Sequence, residues 1–120
     1  MKIENIKFKA KNLNSGKWIE GDLIRKSNGI YIRRHKYLSA IVDASTVCMF
    51  TGLTDCKGNE IWEGDIIRNP EFPFEKRTVT WSDNSSCFMP IDEDGCKDRD
   101  FSFLVLFKKW AVVGNKFDKK

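Results

Sequence analysis

The chain has 120 residues and is 41% hydrophobic and 12% aromatic, with nine Phe and four Trp, enough apolar bulk for one domain or two very small ones. Its charged content of 32%, with eight Gly and three Pro, excludes a low-complexity chain. Its longest apolar runs, such as Phe103-Leu104-Val105-Leu106-Phe107, fall far short of the roughly 20 residues of a membrane-spanning helix.

Taken in chain order, the pattern is one of short strands. Ile6, Phe8 and Ala10 alternate with Lys7, Lys9 and Lys11, which predicts a half-buried strand with a basic outer face. Asn14-Ser15-Gly16 predicts a turn into a second strand over Lys17 to Lys26. Asn28-Gly29 predicts a hairpin through a type I′ turn, folding Leu23–Lys26 onto Ile30–Arg34. Thr46–Thr51 reads as a strand and Gly52–Gly58 as a loop with its turn at Lys57-Gly58-Asn59. Ile61–Arg68 is strand-like until Asn69-Pro70 and Pro73 interrupt it. Thr78–Trp81 and Cys87–Met89 predict a second hairpin, and Asp94-Gly95 a further turn. Phe101–Phe107 and Trp110–Phe117 complete the series, with a short helix over Phe101–Lys109 as the alternative for the first. The expected fold is mainly β, an SH3-like barrel or β-roll with at most short helices.

The net charge of +4 conceals a gradient. Residues 1–40 carry ten Lys/Arg against three acids, and residues 41–120 carry eleven against fourteen. Arg25-Lys26 and Arg33-Arg34-His35-Lys36 concentrate the positive charge, Asp92-Glu93-Asp94 and Asp98-Arg99-Asp100 the negative. Adjacent cations neutralise phosphates, but they equally form a solvated strand face or meet an acidic partner. The candidate binding surface is Arg25, Lys26, Tyr31, Arg33, Arg34 and Lys36, with Lys7 and Lys9 as further phosphate contacts. Trp18, Trp62, Trp81 and Trp110 supply the other aromatics, divided between core and surface.

Cys48, Cys56, Cys87 and Cys96 lack the two-to-four-residue spacing of a zinc knuckle, and free thiols are expected. The single His35 lies in the basic run with no Ser, Cys or acid beside it. No catalytic residue, metal ligand or cofactor is indicated. The opening Met1-Lys2-Ile3-Glu4-Asn5 has no apolar signal region, so a cytoplasmic location is expected.

One feature rises above generic β patterning. Trp18-Ile19-Glu20-Gly21-Asp22-Leu23-Ile24-Arg25 recurs, forty-three residues on, as Ile61-Trp62-Glu63-Gly64-Asp65-Ile66-Ile67-Arg68. Gly with Asp is first of all turn chemistry, so Glu20, Gly21, Asp22, Glu63, Gly64 and Asp65 are assigned to the fold rather than to a paired-carboxylate site. The echo favours two related β units, about 1–45 and 46–120, within one domain.

Thr51-Gly52-Leu53, Asp55, Gly58, Glu60-Ile61, Trp62 and Glu63-Gly64-Asp65 form an ordered series through the middle of the chain. In that series the chain resembles the YopX family of phage and prophage proteins. Ile6–Ala10 is similar to its opening strand, and Val113-Gly114-Asn115 to its closing motif. Cys56 stands where the family is usually polar, and the tail after Gly114-Asn115 is short. The resemblance implies an SH3-like, phage-encoded protein of unknown function in the bacterial cytoplasm, whose hallmark positions are fold determinants. The expected role is a non-enzymatic binding or adaptor module for a host or phage protein, with nucleic-acid binding by the basic half as the alternative and self-association through edge strands as a further expectation.

Overall fold

A computed structural model describes residues 2–71, 76–84, 86–91 and 110–118. The chain divides into two compact units, Met1–Phe50 and Thr51–Lys120. The described strands belong to two antiparallel sheets, neither closed into a barrel; of the two expected forms, β-roll character fits and a closed SH3-like barrel does not. Among the described residues the only helical segments are two 3-10 turns, Ile3–Asn5 and Ala44–Thr46, and no helix is long and apolar enough to cross a membrane.

In the first unit, β1 (Phe8–Lys11), β2 (Trp18–Lys26), β3 (Gly29–His35), β4 (Leu38–Ile41) and the start of β5 (Cys48–Thr54) lie in the order β4-β3-β2-β1-β5. The Asn12 side-chain oxygen accepts the Asn14 and Ser15 amides at 2.8 and 3.1 Å, and Gly16 follows at φ +72°, which fixes the β1–β2 turn. The registers Ala10↔Ile19, Leu23↔Ile32 and Ile32↔Ala40 put one apolar set on one face. There Ala10, Ile32 and Val42 are buried, with Phe8, Ile19, Leu23, Ile30 and Val47 packed against them. The curled sheet meets itself at one end: Asn12 bridges Val42, the Leu13 amide donates to Ile41 O, and the Asp43 amide donates to Lys11 O.

Several boundaries differ from expectation. Ile6 precedes β1 and is 44% exposed, because the turn at Ile3–Asn5 delays the strand. The β2–β3 loop is Ser27-Asn28, with Lys26 opposite Gly29, and neither loop residue has positive φ, so the type I′ turn at Asn28-Gly29 does not form. Thr46 lies in a 3-10 turn capped by Asp43, whose carboxylate accepts the Ser45 amide and hydroxyl at 3.0 and 2.7 Å.

In the second unit, β5 runs on to Thr54, so Gly52–Thr54 is strand and the loop shrinks to Asp55–Asn59. The expected single strand over Ile61–Arg68 is two, β6 (Glu60–Trp62) and β7 (Asp65–Arg68), parted by a turn at Glu63-Gly64. β8 (Lys76–Ser82) and β9 (Cys87–Ile91) form the expected hairpin, and β10 (Ala111–Asn115) starts one residue after Trp110; the sheet order is β10-β7-β8-β9. Ile61, Ile67, Val79 and Trp110 make its core, with Leu53, Phe88 and Val112 against them. The Asp94-Gly95 turn, the Phe101–Phe107 element, Cys96 and both acidic clusters lie outside the described residues.

Candidate functional site

The hallmark residues of the second unit build a buried polar framework. Asp55, 7% exposed, accepts four hydrogen bonds: its Oδ1 from the Lys57 and Asn59 amides at 2.8 Å each, its Oδ2 from Asn59 Nδ2 at 3.3 Å and the Val112 amide at 2.9 Å. Burial works against its ionisation, but the amide donors outweigh it and hold the carboxyl below its ordinary value of 3.8. Gly58, at φ +83°, turns the loop so that these amides converge. Thr51 Oγ1 donates to Ile61 O at 2.6 Å and accepts the Leu53 amide at 3.2 Å, which ties β5 to β6.

Asp65 Oδ2 accepts the Trp62 amide at 2.7 Å and closes the Glu63-Gly64 turn, where Gly64 sits at φ +86°. Asp65 Oδ1 accepts Asn115 Nδ2 at 2.9 Å, and the Lys116 amide donates to Gly64 O at 2.9 Å. Asn115 is itself 5% exposed and accepts the Phe117 amide at 3.0 Å. The Glu-Gly-Asp turn and the closing Gly-Asn motif, fifty residues apart, are therefore one hydrogen-bonded centre.

The repeated octet folds differently in its first copy. Trp18–Arg25 runs as continuous strand, and both Glu20 and Asp22 are exposed. Gly21 is required there by close approach: a Cβ would overlap the Arg33 carbonyl and lie 3.2 Å from Arg34 Cα. The final arginines differ too, Arg25 exposed and Arg68 half-buried, with Arg68 Nε lacking a hydrogen-bond partner among the described residues.

The candidate basic surface is split by strand alternation. Lys26, Tyr31 and Arg33 share one face with Asp22 and Ile24, whereas Arg25 and Arg34 lie on the face of Leu23 and Ile32. Lys36 is exposed in the β3–β4 turn. What the structure does assemble is a lysine–aromatic face. Lys9 and Lys11 place their ammonium groups 4.6 and 5.4 Å from the Trp18 ring centre, and Lys26 lies 4.5 Å from Tyr31. Trp18 and Tyr31 are half-buried, and Glu20 and Asp22, opposite Lys9 and Arg33, make the face mixed in charge. Lys7 covers Phe50, a ring that is itself buried.

Lys11 is absent from the surface read from sequence, where Trp18 stands only among the aromatics that could supply a contact surface and not with the basic cluster. The signal for them is the Asn14-Ser15-Gly16 turn, which pairs Lys11 with Trp18. Trp62 and Trp110 are core; Trp81, 41% exposed, packs edge-on to Phe88 at 5.1 Å and donates to Asp83 at 2.9 Å. Cys48 is buried, its thiol 3.3 Å from Thr46 O, while Cys56 and Cys87 are exposed free thiols. Among the described residues no group of three or more His, Cys, Asp or Glu is arranged to hold a metal ion.

Two antiparallel sheets with roll character, and within the second unit a Glu-Gly-Asp turn bonded to a Gly-Asn strand end, define a mainly β class of protein. Within it, the sequence model described as "YopX protein" matches residues 2–119, and the chain belongs to the YopX family. No curated protein matches it.

Proposed function

We propose that this YopX protein is a non-enzymatic binding or adaptor module that contacts a host or phage protein through the lysine–aromatic face of its first unit. The observation that carries the reading is the set of lysines over Trp18 and Tyr31. Such rings offer a large, rigid, amphipathic contact area, and aromatics are enriched where protein partners bind. The mixed charge added by Glu20 and Asp22 suits a protein surface better than a uniform polyanion. The repeat's carboxylates favour a structural over a catalytic role, because both oxygens of Asp65 already accept hydrogen bonds.

A second reading, nucleic acid as the ligand of this face, is favoured by the charge of the first unit. Residues 1–50 carry ten Lys/Arg against four acids, and Lys9 and Lys11 alternate along β1 with Lys7 just ahead of it. Affinity capture from phage-infected bacterial lysate, with and without nuclease, separates the two. Under the first reading a protein survives nuclease and is lost with Trp18→Ala/Tyr31→Ala. Under the second, retention disappears with nuclease and oligonucleotide affinity falls steeply with salt. Identical capture by the wild type and the double variant overturns both.

A further inference from the structure

The first unit has a concave feature on the face of its sheet opposite the lysine–aromatic one. Its curled edge is joined to β1 only at Ile41–Asp43; ahead of that seam, Leu38–Ala40 pairs with β3 alone among the described strands. The opening so left is a cleft of about 200 Å³ lined by Asn12, Ile19, Ile32, Arg34, Leu38 and Ala40. Its floor is aliphatic.

Its polar lining offers donors. Asn12, at the cleft wall, has its side-chain oxygen engaged by the Asn14 and Ser15 amides, so its remaining side-chain hydrogen-bonding capacity is the donating amino group. Arg34 is exposed, and a guanidinium only donates. A site with an apolar floor and donors alone at its edge suits an apolar group next to an anion.

The size decides what carries that group. Pockets for drug-sized molecules run to roughly 300–1,000 Å³, so this cleft suits a single side chain. The apolar surface also continues beyond it: Leu13 is 57% exposed, Tyr37 85% and Leu38 47%. An occupant that extends past the cleft meets these rims.

We propose that this cleft is a docking site for an acidic peptide segment of a partner protein. A leucine-like anchor sits on the half-buried Ile19 and Ala40, above the buried Ile32, and a flanking carboxylate pairs with Arg34. Anchors of this kind, surrounded by a weaker rim, carry most of the affinity of such contacts. The site uses none of the lysine–aromatic face, so either proposal stands if the other fails.

The test is a titration of the full-length protein, labelled with nitrogen-15, by the capped peptide acetyl-Glu-Asp-Leu-Asp-Glu-amide. The controls replace every acid by lysine, or the leucine by serine, or use octanoate alone. Amide shifts are expected at Asn12, Ile19 and Ile32–Ala40, from the acidic leucine peptide and neither peptide control. Arg34→Glu is expected to weaken it about tenfold or more and to confer binding of the lysine peptide, by exchanging attraction for repulsion. Trp18→Ala/Tyr31→Ala leaves the binding unchanged. The proposal is overturned by any of four results: no shift at millimolar peptide, shifts centred on Lys9, Trp18 and Tyr31, equal affinity of Arg34→Glu, or octanoate binding more tightly than peptide. Broadening of the same amides that grows with protein concentration alone would assign the cleft to a second copy and likewise overturn it.

Discussion

Gly21 and Gly64 occupy the same place in the repeated octet for different reasons. At Gly64 the backbone is left-handed, φ +86°, and an added Cβ lies 3.3 Å from Asn115 Nδ2. Gly64→Ala is expected to cost about 1–2 kcal/mol from the backbone alone, measured by urea denaturation. At Gly21 the obstacle is the neighbouring strand, and Gly21→Ala forces β2 and β3 apart at a cost of about 1–3 kcal/mol. A cost under a few tenths at either position contradicts the corresponding argument. Asp55 gives a pH signature. Its carboxyl is held below its ordinary value of 3.8, so its contribution is fully present above that value and is lost as pH falls through the lower, folded-state value. Wild type is therefore expected to lose more stability than Asp55→Asn between pH 5 and the acid limit, and parallel curves for the two proteins contradict this. Sequence alone flags Asp55 and both glycines as fold residues. It does not distinguish the two octets, because the shared Glu-Gly-Asp core leaves the choice between strand and turn to tertiary partners.

At the scale of elements, alternation and turn chemistry suffice for most strands. Phe8–Lys11, Trp18–Lys26 and the β8–β9 hairpin are legible because one face of each is apolar or because a polar turn separates them. Some boundaries shift through local 3-10 turns, as at Ile3–Asn5 and Ala44–Thr46, and others involve a side chain far away in sequence. The break between β6 and β7 is closed locally by the Trp62 amide on Asp65, the turn chemistry read from Gly-Asp, while the Asn115 bond that holds the other carboxylate oxygen is a pairing that no local pattern encodes. That pairing predicts a graded response. Asn115→Ala is expected to cost about 1–3 kcal/mol by leaving buried groups without partners. Asn115→Asp is expected to cost more, since it sets a second carboxylate against Asp65, and to recover in part on acidification. Equal denaturation midpoints for the two variants at pH 7 count against a direct Asn115–Asp65 bond. The cleft was not legible for a related reason: Asn12, Ile19, Arg34 and Leu38 come together only through the curl of the sheet.

For the whole molecule, the charge gradient survives as a difference between units. Residues 51–120 carry eleven Lys/Arg against thirteen acids, set against the excess of basic residues in 1–50. The thiols report on folding as a whole: Cys56 and Cys87 are exposed and Cys48 is buried. Native alkylation followed by peptide mapping is expected to label Cys56 and Cys87 rapidly and Cys48 only as denaturant unfolds the chain; rapid native labelling of Cys48 contradicts the burial. The two units also differ in when they can be completed. The first unit's core needs nothing beyond Val47, whereas Asp55 waits for the Val112 amide and Asp65 for Asn115. On the ribosome, where synthesis runs from the amino terminus, the first core can therefore assemble while the Glu-Gly-Asp turn is still unsatisfied. β10 acts as the closing stitch, and a nascent chain that ends before Val112 has both carboxylates held only by their local amides, without the bonds from Val112 and Asn115.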